Sequence, residues 1–315
     1  MTNIIKKGLK YICDEDYRFM INASFGKYDS MSDEEYLKRK FKALMGKELD
    51  LENPKTFNEK LQWIKLYDRK PEYTMMVDKY KVREYIKEQL GEEYLIPLVG
   101  VWDNPEDINF DLLPNQFVLK CNHNSGLGMC ICKDKSKIDI NNVKSELRKG
   151  LNQDYYLTGR EWPYKDVERK IICEKYMVDY TQSEGLTDYK FFCFDGQVDS
   201  VMVAIERNTG NPKFYFFNEK WELLKYNKRG KEAPDNFTLP MPKTMPEMFN
   251  IASKLSQGLS YSRIDLYSCN DQVYFGEITF FPDSGFDKNL IYESDLYFGS
   301  KINLRDKRID CERAI

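Results

Sequence analysis

YSRIDLYSCNDQVYFGEITFFP, residues 261–282, reads as two strands joined by turn chemistry, with charges where buried strands should carry none. Along a strand, alternate residues share a face. Arg263, Asp265 and Tyr267 therefore share one face of the first strand, and Phe275, Glu277 and Thr279 share one face of the second. The intervening SCNDQ predicts a hairpin. A three-residue loop centred on Asp271 places Asp265 opposite Glu277 and Arg263 opposite Thr279. A two-residue turn at Asn270-Asp271 instead puts the acids on opposite faces. The first register is preferred, because it gathers both acids on one side and leaves Ile264, Leu266 and Ile278 on the other.

Opposed carboxylates, with Cβ atoms roughly 5 Å apart, repel each other. They are tolerated if one is protonated or a cation sits between them. An oxygen-only donor set suits Mg²⁺, which takes one or two carboxylates together with substrate phosphates. On spacing alone a plainer account stands level with it: Arg263 neutralises Asp265, and Glu277 points to solvent at a sheet edge.

Upstream, FVLKCNHNSGLGMCIC (residues 117–132) places Lys120 at a strand end before a loop with Ser125, Gly126 and Gly128. Glycines let backbone N–H groups approach a phosphate, and a lysine supplies the balancing charge. The pattern is neither a Walker A loop nor a dinucleotide fingerprint, and an ordinary hairpin would look the same. His123, the single histidine, is read as bracing this loop or facing solvent, with a phosphate contact as the alternative. One histidine excludes His-rich metal sites and makes a Ser-His-Asp triad hard to build. Cys121, Cys130 and Cys132 lack the C-x-x-C knuckles of a zinc site. In KIICEKYMVDY (170–180) Glu174 follows an apolar strand, and in DYKFFCF (188–194) Lys190 needs an anionic partner or a route to solvent. Both also read as solvent-facing strand residues.

The rest of the chain predicts helices first and strands later. Ser32 with Glu35, and Thr56 with Glu59, are spaced as capping boxes. A third helix is expected over Lys79–Leu90, ending at Gly91. YLIPLVGVW, QFVLKC and GMCIC read as short strands, and Val143, Leu147 and Leu151 mark a helix. Asp195-Gly196 is a hairpin turn between DYKFFCF and QVDSVMVAIE; KFYFF and WELLKY predict another hairpin. Residues 228–246 read as a loop, and Met248, Ile251, Ala252 and Leu255 as a helix. That order argues for an α+β protein. A net charge of −3 with both signs interspersed offers no basic stripe for nucleic acid. Eight cysteines without a secretory signal fit reduced thiols and a cytoplasmic protein, and no segment is apolar enough to span a bilayer. Ile4, Ile5, Leu9 and Ile12 with Lys6, Lys7 and Lys10 fit either a packing helix or one that touches the inner face of a membrane.

The order Lys120, the Gly126–Gly128 loop, CEKYM, Lys190, RID and GEITFFPDSGF resembles the ATP-grasp fold, in which two α+β lobes clasp ATP. NPKTFNEKLQW, DKYKVREYI, FVLKCNHNSG, DYKFF and YFGEITFFPDSGF more closely resemble its teichuronopeptide-biosynthesis (TupA-like) branch, from about Asn53 to about Gly299. That branch is associated with bacterial capsule and cell-surface polysaccharide genes. The resemblance implies an N-terminal helical region over 1–75, a pre-grasp segment over 76–120, a small lobe over 121–187, a large lobe with the metal site over 188–299 and a tail over 300–315. It implies that Lys120 and Lys190 hold ATP phosphates under the Ser125, Gly126 and Gly128 backbone. Glu174 would lie at the adenine edge, with the backbone from Lys175 to Met177 on the base. Asp265 and Glu277 would ligate Mg²⁺, and Arg263 would stabilise charge developing during transfer. Thr279 stands where such ligases usually carry a metal-binding asparagine, which puts a second metal in question.

The activity so implied is an ATP- and Mg²⁺-dependent carboxylate–amine ligase working through an acyl phosphate. Its partners would be a polysaccharide or sugar-acid acceptor and an amine, such as an amino acid. No residue matches an acceptor-pocket motif, and the oligomeric state is not legible. Two other readings compete. A glycosyltransferase would want a D-x-D, and the chain offers only DED, Asp14 to Asp16, in a segment read as helical. A non-catalytic ATP-grasp module is the other, with Thr279 its sole support.

Overall fold

The computed structural model describes residues 3–180, 186–206 and 211–304. The predicted tail beyond 304 and the side chain of Ile4 lie outside the described residues. The chain divides into two units: one from Met1–Lys70, Tyr156–Trp162 and Phe281–Ile315, the other from Pro71–Tyr155 and Pro163–Phe280.

The first unit is helical. It holds α1 (Asn3–Cys13), α2 (Glu15–Ser24), α3 (Asp33–Met45) and α4 (Phe57–Tyr67), joined much later in sequence by a helix at Tyr292–Lys301. Thr56 and Glu59 form the full reciprocal capping box of α4; Ser32 accepts the Glu35 N–H of α3. Asp14 of the DED triplet caps α2, accepting the Tyr17 N–H at 2.8 Å. Phe57 packs on Phe298 with ring centroids 5.6 Å apart, and Phe41 on Phe286 at 6.2 Å. Lys65 on α4 is fully buried, and its Nζ donates to Gly159 O (2.7 Å), Ser284 O (2.7 Å) and Gln62 Oε1 (3.0 Å). Each segment of the unit is therefore tied to the others by side-chain donors on backbone carbonyls.

The second unit opens with α5 (Glu72–Val77) and α6 (Val82–Gln89). The helix predicted from Lys79 starts three residues late, because Lys79 to Lys81 form a turn pinned by Asp78, which accepts the Tyr80 and Lys81 N–H groups. A four-stranded antiparallel sheet follows, built from β1 (Leu98–Trp102), β2 (Phe117–Cys121), β3 (Met129–Cys132) and β4 (Ile171–Lys175) in the order β1-β4-β2-β3. Phe117, Leu119, Ile171 and Cys173 pack with Val143 and Leu147 of α7 (Ile140–Leu151). Alternation therefore leaves Lys120 and Glu174 on the opposite face.

After α8 (Tyr155–Gly159), a six-stranded antiparallel sheet has the order β10-β9-β5-β6-β7-β8, with β5 at Thr187–Phe194, β6 at Gln197–Ile205, β7 at Lys213–Phe217 and β8 at Leu223–Leu224. Residues 228–246 are not a plain loop. Asn227 caps the short α9 (Lys228–Glu232), and α10 (Met245–Leu255) begins with Pro246 in its first turn, where a missing N–H costs nothing. Phe191 meets Phe249 of α10 edge-on at 5.2 Å, so the odd residues of β5 face this helix and Asp188 and Lys190 face away. The strands β9 (Ser262–Cys269) and β10 (Gln272–Thr279) complete the sheet, with β10 at its edge, and α11 (Tyr292–Lys301) is the late helix of the first unit.

The β9–β10 hairpin corrects the predicted register. Its turn is the two-residue Asn270-Asp271, both at positive φ (54° and 61°), and Gln272 pairs with Cys269. Phe275 therefore lies opposite Leu266, on the apolar side and not beside Glu277. The acids still meet, Glu277 opposite Asp265 and Thr279 opposite Arg263, because a β-bulge at Gly276 inserts one residue and reverses the alternation. Gly276 is there for closeness: a Cβ would stand 2.9 Å from Asp265 O and 3.0 Å from the Tyr267 ring. Gly276→Val is expected to lower stability by about 2 kcal/mol, read by urea denaturation; an unchanged midpoint would show that the bulge needs no glycine.

Candidate functional site

The site lies wholly within the second unit. Arg263 on β9 forks onto Asp265, Nε to Oδ1 at 2.7 Å and Nη2 to Oδ2 at 2.8 Å. Lys190 on β5, the register partner of Asp265, reaches its Oδ2 at 2.5 Å and Asp188 Oδ2 at 2.6 Å. Arg263 Nη2 also lies 3.3 Å from both Glu277 Oε1 and Thr279 Oγ1, and Thr279 donates to Glu277 Oε1 at 3.2 Å. Burial pushes the Asp265 carboxyl up, against the pull of Arg263 and Lys190. With three charge-assisted hydrogen bonds on two oxygens, the geometry holds it ionised.

Glu277 answers the question its apolar strand poses. Burial alone would raise its pKa, but Lys79 first, then Arg263, Lys190 and Lys120 bring it down to about 2. Its Oε2 lies 4.0 Å from Lys79 Nζ. Arg263 and Lys79 thus face this half-exposed carboxylate directly, and Lys190 and Lys120 act on it from further off, each paired with another acid.

Lys120 on β2 is 2.6 Å from Glu174 Oε2, and Arg83 of α6 is 3.3 Å from Oε1. Lys120 and Glu174 therefore neutralise each other and do not point to bulk solvent. The Lys175 N–H donates to Pro97 O at 2.9 Å, so of the predicted base-binding backbone this donor is already used within the protein. Met177 follows, outside any strand and half-buried.

The loop after β2 is anchored at its root. Asn122, fully buried, donates to Asp78 Oδ1 (2.8 Å) and Glu168 O (2.9 Å) and accepts the Lys170 N–H (2.7 Å). Lys79 Nζ donates to Asn124 O at 2.7 Å. Ser125 and Gly126 are exposed, and a Cβ on Gly126 (φ 84°) would meet nothing within 4 Å. Gly128 serves helix packing: its Cα lies 2.7 Å from where a Cβ on Gly150 of α7 would stand. Of the two glycines, Gly126 borders open space where a phosphate could approach. His123 is buried, with Nε2 3.2 Å from Gln153 O, and burial pushes its pKa down to about 4; it braces the loop as a neutral ring and does not face solvent.

Sequence reading missed Lys79, Arg83 and Asp188. Asp188 was legible as the residue two before Lys190, on the same strand face. Lys79 was not, since a lysine in the turn before a helix is ordinarily solvated.

Among the described residues no group of three His, Cys, Asp or Glu side chains is placed to hold a metal ion. The donor set nevertheless fits Mg²⁺, which needs only one or two carboxylates when phosphates supply the rest. Glu277 is ionised, its Oε2 faces, among the described residues, only Lys79 at 4.0 Å, and Thr279 adds a hydroxyl. Asp265 fits less directly, because both its oxygens are held by Arg263 and Lys190.

Residues 59–303 match the family described as TupA-like ATP-grasp. Among solved structures, the chain is similar to D-alanine–D-alanine ligase from Bacillus anthracis complexed with ATP, at 17% identity and a TM-score of 0.40, covering 72% of this chain and 63% of that one. It is similar to the Helicobacter pylori D-alanine–D-alanine ligase at 15% identity and a TM-score of 0.43, covering 79% and 69%. The ATP-grasp ligase PsnB complexed with minimal precursor matches at 9% identity and a TM-score of 0.38, covering 67% and 54%. No curated protein matches the chain.

Proposed function

The chain belongs to the TupA-like ATP-grasp family, and on that premise we propose that it is an ATP- and Mg²⁺-dependent carboxylate–amine ligase acting on a cell-surface polysaccharide or its precursor. The observation that carries the reading is the linked charge cluster in which Arg263 and Lys79 face Glu277, Lys190 bridges Asp188 and Asp265, and Lys120 pairs with Glu174. Phosphoryl transfer needs positioning and charge neutralisation more than a covalent nucleophile. In this reading the four-stranded sheet with its Asn122–Gly128 loop is the small lobe, and the six-stranded sheet is the large lobe.

Lys120 and Lys190 would leave Glu174 and Asp188 to take phosphate oxygens, with the Ser125 and Gly126 backbone above them. Glu277, with Thr279 and Asp265, would hold Mg²⁺, whose charge offsets that of the phosphates. A carboxylate oxygen of the acceptor forms a bond to the γ-phosphorus as the bond to ADP breaks. The amine then bonds to the acyl carbon, phosphate leaves with the electron pair, and a proton is released. Arg263 would steady the charge on the acceptor oxygens. The uronic acid and amino acid are substrates suggested by the family resemblance alone. ADP release that requires ATP, a uronic-acid sugar and an amino acid together is the expected result. ADP release independent of any carboxylate or amine would sink the ligase reading.

A binding module without turnover is the second reading, and the engaged state of Asp265 favours it. Titrating ATP with and without Mg²⁺ separates the two. An affinity indifferent to Mg²⁺ supports the module.

A further inference from the structure

The helix α1, NIIKKGLKYIC, carries three lysines and no acid, although the whole chain has a net charge of −3. At about 100° per residue, Ile5, Leu9 and Ile12 form one stripe. They are 51%, 51% and 70% exposed. The helix docks by another face: Tyr11 Oη donates to Asn22 Oδ1 of α2 at 2.8 Å, and Arg18 Nη1 donates to Ile12 O at 2.8 Å. Gly8 borders the stripe, and a Cβ there would meet nothing within 4 Å. Lys10 is 3.9 Å from Asp14, whereas Lys6 and Lys7 are exposed and form no ion pair among the described residues. Of the three acids that follow, Asp14 caps α2 and Glu15 lies 3.6 Å from Arg39, while Asp16 is exposed on α2, outside the α1 stripe.

We propose that α1 is an interfacial helix that seats Ile5, Leu9 and Ile12 in the headgroup region of an anionic lipid bilayer, with Lys6 and Lys7 supplying the preference for negative charge. An apolar stripe on a helix without acids, with Lys6 on its flank and Lys7 and Lys10 on the polar side, is complementary to an anionic surface more than to an uncharged one. The inference is independent of the ATP chemistry, which lies in the other unit.

The test is co-sedimentation of the whole chain with vesicles of phosphatidylglycerol and phosphatidylcholine, against pure phosphatidylcholine vesicles. Each lysine near an anionic surface is worth roughly a fivefold change in binding. Binding to the anionic vesicles is expected to be at least about tenfold stronger and to weaken with salt. Lys6→Glu with Lys7→Glu should remove that preference. Leu9→Ser with Ile12→Ser should weaken binding about tenfold or more, and Gly8→Leu should strengthen it several-fold. All positions are exposed, so unchanged thermal melts are expected and any loss reports the surface itself. Equal binding to both vesicles, or indifference to all three variants, overturns the proposal. So does a wild-type dimer in sedimentation velocity that Leu9→Ser with Ile12→Ser dissociates, for the stripe would then belong to a second copy.

Discussion

Glu277→Gln is expected to cut ATP-dependent ADP formation roughly 10²- to 10³-fold and to erase the Mg²⁺ dependence of ATP binding. The amide keeps the shape and one oxygen but removes the charge that Lys79 and Arg263 face. Because the carboxyl is held near 2, it is ionised at every working pH, so the wild-type activity profile should show no acidic limb from Glu277 above about pH 4. Calorimetric titration of ATP with and without Mg²⁺ checks the binding half before any acceptor is known. A glutamine variant within tenfold of wild type in both measurements would remove Glu277 from the chemistry.

Lys65→Met is the substitution expected to damage the fold most. Methionine fits the apolar stem but takes the Lys65 donor from Gly159 O and Gln62 Oε1 and leaves Ser284 O with only the Gln62 Nε2 bond at 3.2 Å, a loss of about 2–4 kcal/mol. The same lysine should shape stability against pH. Burial, opposed by Glu161, brings it down to about 7 from an ordinary 10.5. Between those values the unfolded chain binds the extra proton, so stability rises with pH across that window and levels off below about 7. Lys40, lowered to about 8 by burial, adds the same sign over a narrower range. Thermal melts from pH 7 to 10 should therefore show a slope in the wild type that is reduced in Lys65→Met. Equal slopes would show that Lys65 keeps its proton when buried, matched by its three acceptors.

Much of the site was legible because strands enforce alternation. Arg263 with Asp265 and Asp188 with Lys190 are two residues apart, and their shared faces follow from backbone geometry alone. The meeting of Asp265 with Glu277 was reached through the wrong loop. Asn270-Asp271 has the chemistry of a tight turn, and only the unreadable insertion at Gly276 restored the pairing. Glycine in a strand hints at a bulge, but nothing local says which way the parity will fall. Lys79 and Arg83 act through contacts with residues about 90 to 200 positions away, Glu174 and Glu277, and no local pattern encodes that. The engagement of Glu174 by Lys120 was hidden for another reason: the strand order β4-β2 must be known before the diagonal pair can be seen.

The first unit closes only when its last segment arrives. Asn58 receives its partner Asp295 from 237 residues downstream, at 2.9 Å to the backbone N–H and 3.0 Å to the side chain. A ribosome adding roughly 5–20 residues per second would leave α3 and α4 without Phe286 and Phe298 for tens of seconds, while the second unit, which ends at Phe280, is still being made. Their apolar faces are then open to chaperones and proteases throughout that interval, and nascent chains stalled before Asp295 should be nicked there first.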